Sequence, residues 1–179
     1  MKTLVIHPKD NSTDFLSAIY EGMDCDIISE CVSKRALKET IKNHDRIIML
    51  GHGTQYGLIG YRNPQTRLFR SPYLIIDSNF VYLLREKECV CIWCNADIFV
   101  EKYNLKGFYT GMIISEVEEA LDYCVTATKE EIEFSNKLLA ESVKKAINSH
   151  FIVGIIKESY KSDTNQVIHF NQENLYFNK

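Results

Sequence analysis

The feature that most constrains this chain is a repeated order: a short apolar run, a polar break, an amphipathic stretch, then another apolar run. Residues 3–7 (TLVIH), 26–29 (DIIS), 46–50 (RIIML), 89–93 (CVCIW) and 107–114 (GFYTGMII) read as strands, being short for buried helices and rich in β-branched or aromatic side chains. Between them lie helical patterns. Ser12 or Thr13 and Gly22 frame one, and Ser33 opens a second that runs to about Asn43, with Leu37 and Ile41 on its dry side and Lys34, Lys38 and Lys42 on its wet side. Asp77 or Ser78 opens a helix that runs to Arg85, and 97–102 is a short one. Ser115 with Glu118 has capping-box spacing before a helix over 116–124, and residues 128–148 carry Ile132, Leu138, Leu139, Val143 and Ile147 on one stripe. Strands that are apolar throughout are buried from both sides, so the pattern predicts an α/β domain, a three-layer sandwich around a mostly parallel sheet.

In a parallel sheet built with crossovers, adjacent strands end on the same edge, and ligands bind there. Residues 46–50 lead into Gly51-His52-Gly53, and residues 89–93 lead into Cys94-Asn95. His52 and Cys94 are therefore expected at one edge, within about one side chain's reach and open to solvent. A thiolate-biased cysteine beside an imidazole is the minimum for nucleophilic acyl transfer. A strand-end cysteine alone is more often a packing residue, and the matching histidine lifts Cys94 above that reading. Residues 51–72, with their glycines, Pro64, Pro72, Arg62, Arg67 and Arg70, read as a loop or small hairpin over this edge, followed by a short strand at 74–76. His7 reads as a solvated strand end, and His44, His150 and His169 as surface residues. Asp77 and Asp97 read as helix caps before partners of His52.

The order His-Gly after one strand and Cys after the next resembles the clan of cysteine peptidases that includes caspases, metacaspases, gingipains, clostripain and CHAT-type proteases. The supporting text is GHGTQYGLIG at 51–60, YLIIDSNFVYLLREKECVCIWCNAD at 73–97 and LKGFYTGMIISEVEEA at 105–120. The resemblance spans roughly residues 1–147 and implies a caspase-like fold, with a flavodoxin-like one as the nearest alternative. It further implies a cysteine peptidase with a His52–Cys94 dyad acting on a peptide or protein substrate, its oxyanion held by the N–H groups of Gly53 and Cys94. The residue before the cut would enter a pocket near Thr110, Ser115, Glu116 and Glu118. The other function class is a catalytically idle caspase-like or flavodoxin-like domain that serves as a binding or regulatory module.

With 179 residues the chain is about one domain, read as 1–150 with a C-terminal extension over 151–179. In the extension, 151–159 is strand-like, 159–166 a polar connector and 167–179 an extended strap, and the ENLYF at 173–177, which resembles a protease-cleavage tag, is read as native. A net charge of -3 from 21 basic and 24 acidic residues calls for neither nucleic acid nor an anionic membrane. The start MKTLVIHPKD reads as a strand and not a signal peptide, so the six cysteines are expected as free thiols in a reducing cytoplasm. Strand alternation separates Cys94 from Cys89 and Cys91, which argues against zinc. No cofactor is expected: the loop HPKDNSTD lacks the glycines that cradle a pyrophosphate, although a Ser12-Thr13 turn leaves a flavin to be excluded by colour.

Overall fold

The apolar runs pair as expected for a largely parallel sheet. A computed structural model describes residues 1–61, 72–149 and 165–179. Nine strands occur in these residues: β1 (Thr3–Ile6), β2 (Asp26–Ile28), β3 (Arg46–Leu50), β4 (Gly53–Thr54), β5 (Gly57–Tyr61), β6 (Pro72–Ile76), β7 (Glu88–Ile92), β8 (Lys106–Thr110) and β9 (Leu175–Asn178). Six form the main sheet in the order β2-β1-β3-β7-β8-β9, all parallel except β9, which runs antiparallel to β8. The other three make a small antiparallel sheet, β4-β5-β6, inserted between β3 and β7. The expected hairpin after His52 is thus present at both its ends, while Arg62, Pro64, Arg67 and Arg70 lie outside the described residues.

Alternation along the strands divides the core into two layers. Leu4, Ile6, Ile47, Met49, Cys89 and Cys91 face α1 (Lys34–Lys42), α2 (Val81–Leu84) and α3 (Ala96–Tyr103), meeting Leu37, Ile41, Phe80, Leu84 and Phe99. Val5, Ile48, Leu50, Val90 and Ile92 face the opposite way, onto Leu16 and Ile19 of a 3-10 helix (Asn11–Ile19) and Leu139, Val143 and Ile147 of α5 (Lys129–Asn148). Between β8 and α5 runs the short α4 (Val117–Asp122). All six cysteines are unpaired, and Cys89 and Cys91 sit on the face opposite Val90 and Ile92. Among the described residues no helix is long and apolar enough to cross a membrane.

Three expectations are corrected. The fifth strand stops at Thr110, because the backbone of Ile114 finds its partners in one side chain: Asn171 Oδ1 accepts from its N–H (2.8 Å), and Asn171 Nδ2 donates to its carbonyl (3.0 Å). The expected strap over 167–179 is half helical, since Asn165 caps α6 (Gln166–Glu173) by accepting from the N–H groups of Val167 and Ile168. Leu175 to Asn178 then complete the sheet, so the ENLYF stretch is part of the fold. His7 and His44 are buried, not solvated or superficial: His7 contacts Tyr20 Oη and Thr13 Oγ1, and His44 pairs with Asp26 at 2.8 Å. His150 and the strand-like 151–159 lie outside the described residues.

Candidate active site

Parallel pairing of β3 with β7 sets the site. Leu50 is registered with Ile92, and the N–H of Gly51 donates to the Ile92 carbonyl (3.1 Å). His52 and Cys94 therefore follow the paired strands at matching positions. Both continue the alternation of Ile48, Leu50, Val90 and Ile92, so they lie on the α5 side of the sheet. They line one cavity of about 30 Å³, room for a water or two, together with Leu16, Ile113, Glu119 and Leu139. No hydrogen bond joins them.

Cys94 lies two residues past the end of β7, at a sharp turn. Asn95 is left-handed (φ 65°), which asparagine tolerates better than most residues, and the chain enters α3 at once. The thiol is half-buried, and burial pushes it up to about 11 from an ordinary 9.0, with the Glu119 carboxylate adding to the rise; backbone N–H groups of Ile113 and Cys94 itself oppose it. The raised value runs against the expected thiolate bias, since at neutral pH such a sulfur holds its proton. Glu119 is locked in place, its Oε2 accepting from Ser115 N–H (2.7 Å), Ser115 Oγ (2.9 Å) and Glu116 N–H (3.2 Å). The capping box lies one residue later than expected, on Glu116 and Glu119.

His52 is also held, by residues the sequence reading did not assign to it. Ser12 Oγ lies 2.6 Å from His52 Nε2, and both the hydroxyl (2.7 Å) and the backbone N–H (3.0 Å) of Ser12 donate to Asp10 Oδ1. Asp10, not Ser12 or Thr13, caps the 3-10 helix, which leaves the Ser12 hydroxyl free to face the imidazole. Asp77 caps the turn at Asn79 and pairs with Lys34, and Asp97 lies in the first turn of α3; neither is a partner of His52.

Gly53 opens β4, where a side chain has no room: a Cβ would stand 2.0 Å from Cδ1 of Trp93, whose indole is buried and donates to the Thr54 carbonyl at 3.1 Å. Thr110 is fully buried and its hydroxyl donates to the Trp93 carbonyl, so it braces the turn before Cys94 and does not face a groove. Ser115, Glu116 and Glu118 do line a groove, about 480 Å³ in volume, together with Ser12, Phe15 and Glu133. Phe15 and Ser115 also line the His52–Cys94 cavity, so the two spaces adjoin. Among the described residues no cluster of three or more metal-ligating side chains occurs. No protein-family model matches the chain, and no curated protein matches it.

Proposed function

We propose that this chain is a cysteine peptidase domain of the caspase-like kind that works by general-base catalysis from a protonated resting thiol. One observation carries the reading: His52 and Cys94 occupy matching positions beyond the registered pair Leu50 and Ile92, on one face, around one cavity. In the proposed reaction Cys94 Sγ attacks a peptide carbonyl as its proton passes to His52, and the carbonyl electron pair moves to the oxygen, held by the N–H groups of Gly53 and Cys94. Collapse expels the amine, which takes the proton from His52. Water, losing a proton to His52, then attacks the thioester; collapse breaks the C–S bond, the sulfur takes that proton back, and the acyl group leaves as the carboxylic acid. The groove beside the cavity takes a substrate side chain, with Ser115 and Glu116 on its wall. The one lysine on its lining, Lys129, pairs with Glu133 at 3.6 Å, and the remaining carboxylates, Glu116 and Glu118, favour a cation there.

The idle-module reading draws on a different observation, the thiol raised to about 11 beside a fixed carboxylate. A peptidyl acyloxymethyl ketone separates the two. Its electrophile meets a protonated thiol and needs the base, so the proposal expects covalent labelling of Cys94 that is lost in Cys94→Ala and strongly slowed in His52→Ala. Labelling that ignores His52, or no labelling across a varied peptide panel, overturns the peptidase reading.

A further inference from the structure

The contact of Ser12 with His52 is one link of a chain whose protons can be counted. A serine hydroxyl has one proton to give, and a carboxylate has none. Ser12 Oγ stands 2.7 Å from Asp10 Oδ1 and 2.6 Å from His52 Nε2. A contact that short between hydroxyl and carboxylate oxygens is repulsive without a proton between them, so the Ser12 hydroxyl donates to Asp10. What remains on the oxygen toward His52 is a lone pair, and His52 Nε2 must be the donor.

That polarity also excludes Ser12 as a nucleophile. An attacking serine gives its proton to the imidazole, and here the imidazole gives one to the serine. Asp10 is held by its capping role at the head of the 3-10 helix. Because β1 pairs directly with β3, the loop that follows β1 lies against the residue that follows β3.

We infer that Ser12 and Asp10 are positioning residues that hold neutral His52 as its Nε2–H tautomer and leave Nδ1 as the nitrogen that accepts the Cys94 proton. The inference rests on the peptidase reading for its consequence, but its tautomer half can be measured without catalysis. It gives the histidine a fixed orientation and a defined basic nitrogen, the service a buried carboxylate performs for a catalytic histidine in other hydrolases.

The test is a long-range ¹H–¹⁵N correlation spectrum of histidine-labelled protein, recorded where the imidazole is neutral. Wild type should show His52 as Nε2–H. Ser12→Thr and Asp10→Asn, which keep the hydroxyl and an accepting oxygen, should preserve it. Asp10→Ala should move the protein toward Nδ1–H, because the freed Ser12 proton turns to Nε2. Ser12→Ala, which leaves the helix cap in place, should lose the preference and slow ketone labelling of Cys94 by roughly tenfold or more. A wild type found as Nδ1–H, or a Ser12→Ala protein with the tautomer unchanged, overturns the inference. A wild type that reacts through Cys94 and His52 while Ser12→Ala reacts equally fast overturns the positioning role alone. A wild type inert to the ketone overturns the peptidase reading and takes the positioning role with it, even if the tautomer is as stated.

Discussion

A resting thiol near 11 has a kinetic signature that separates it from both an ordinary and an activated cysteine. At pH 7.5 the thiolate fraction is about one in 3,000 for a thiol at 11 and about one in 30 for one at 9, a hundredfold deficit. The rarer thiolate is the better nucleophile: with a Brønsted slope of about 0.4–0.5, two units recover roughly eightfold. Cys94 should thus react with a small disulfide reagent about 10- to 15-fold more slowly than the same cysteine in the unfolded chain, before any steric penalty. The assay is labelling with bis(2-hydroxyethyl) disulfide followed by mass spectrometry from pH 7 to 11. The Cys94 rate should climb close to tenfold per pH unit past pH 9, where an ordinary thiol levels off. Glu119→Gln should lower the midpoint by less than the full two units, because burial is the larger cause of the rise. A rate that levels by pH 9 would refute the reasoning. So would a rate flat from pH 7 upward, which would mean a thiolate already paired with imidazolium in the resting protein.

The same thiols make the fold sensitive to alkali. Cys94 at about 11 and Cys89 at about 12 are acids whose folded values exceed the unfolded 9.0, so their stabilisation is complete below pH 9 and is lost as pH rises through the folded values, on the order of 3 and 4 kcal/mol respectively. Urea midpoints should fall steeply above pH 9, and Cys89→Ala should flatten that fall. Gly53→Ala should cost about 2–4 kcal/mol, from overpacking against the Trp93 indole and loss of its bond to Thr54, read as a lower urea midpoint; a cost under about 0.5 kcal/mol would mean the indole has room to move. Asn171→Leu should cost about 3 kcal/mol or more, since it strands the N–H and carbonyl of buried Ile114. Glu116→Gln should weaken turnover of substrates with lysine or arginine at the cut more than of neutral ones, and added salt should narrow the difference.

The layers of this fold were legible because they follow from local pattern. Continuous apolar runs such as RIIML and CVCIW meet the demand of a strand buried on both faces, and their register needs only that Cys89 and Cys91 share a face. The end of β8 and the helical half of the terminal segment have a different cause. The apolar text of β8 continues to Ile114, yet the strand ends at Thr110, because a side chain 57 residues further on supplies what a neighbouring strand would have supplied to Ile114. No local pattern carries that information. The terminal segment likewise alternates well enough for a strand, and its first half is helical because Asn165 caps it and Val167, Ile168 and Asn171 find a buried face.

The site divides along the same line. Topology alone takes His52 and Cys94 to one edge, since crossover-linked parallel strands leave their following residues side by side. The chemistry at that edge depends on residues the same rule does not name. Ser12 and Asp10 reach His52 from 40 and 42 residues away, across the β1–β3 pairing, and Glu119, which follows β8 in the chain, lines the same cavity as the thiol and raises its pKa. One signal was present: a second acid-and-hydroxyl candidate for a cap, Asp10 ahead of Ser12, meant that one of the two was not needed for capping. The side chain released from the cap is the one that meets the imidazole, and its hydroxyl proton, drawn to Asp10, decides which ring nitrogen is left to act as a base.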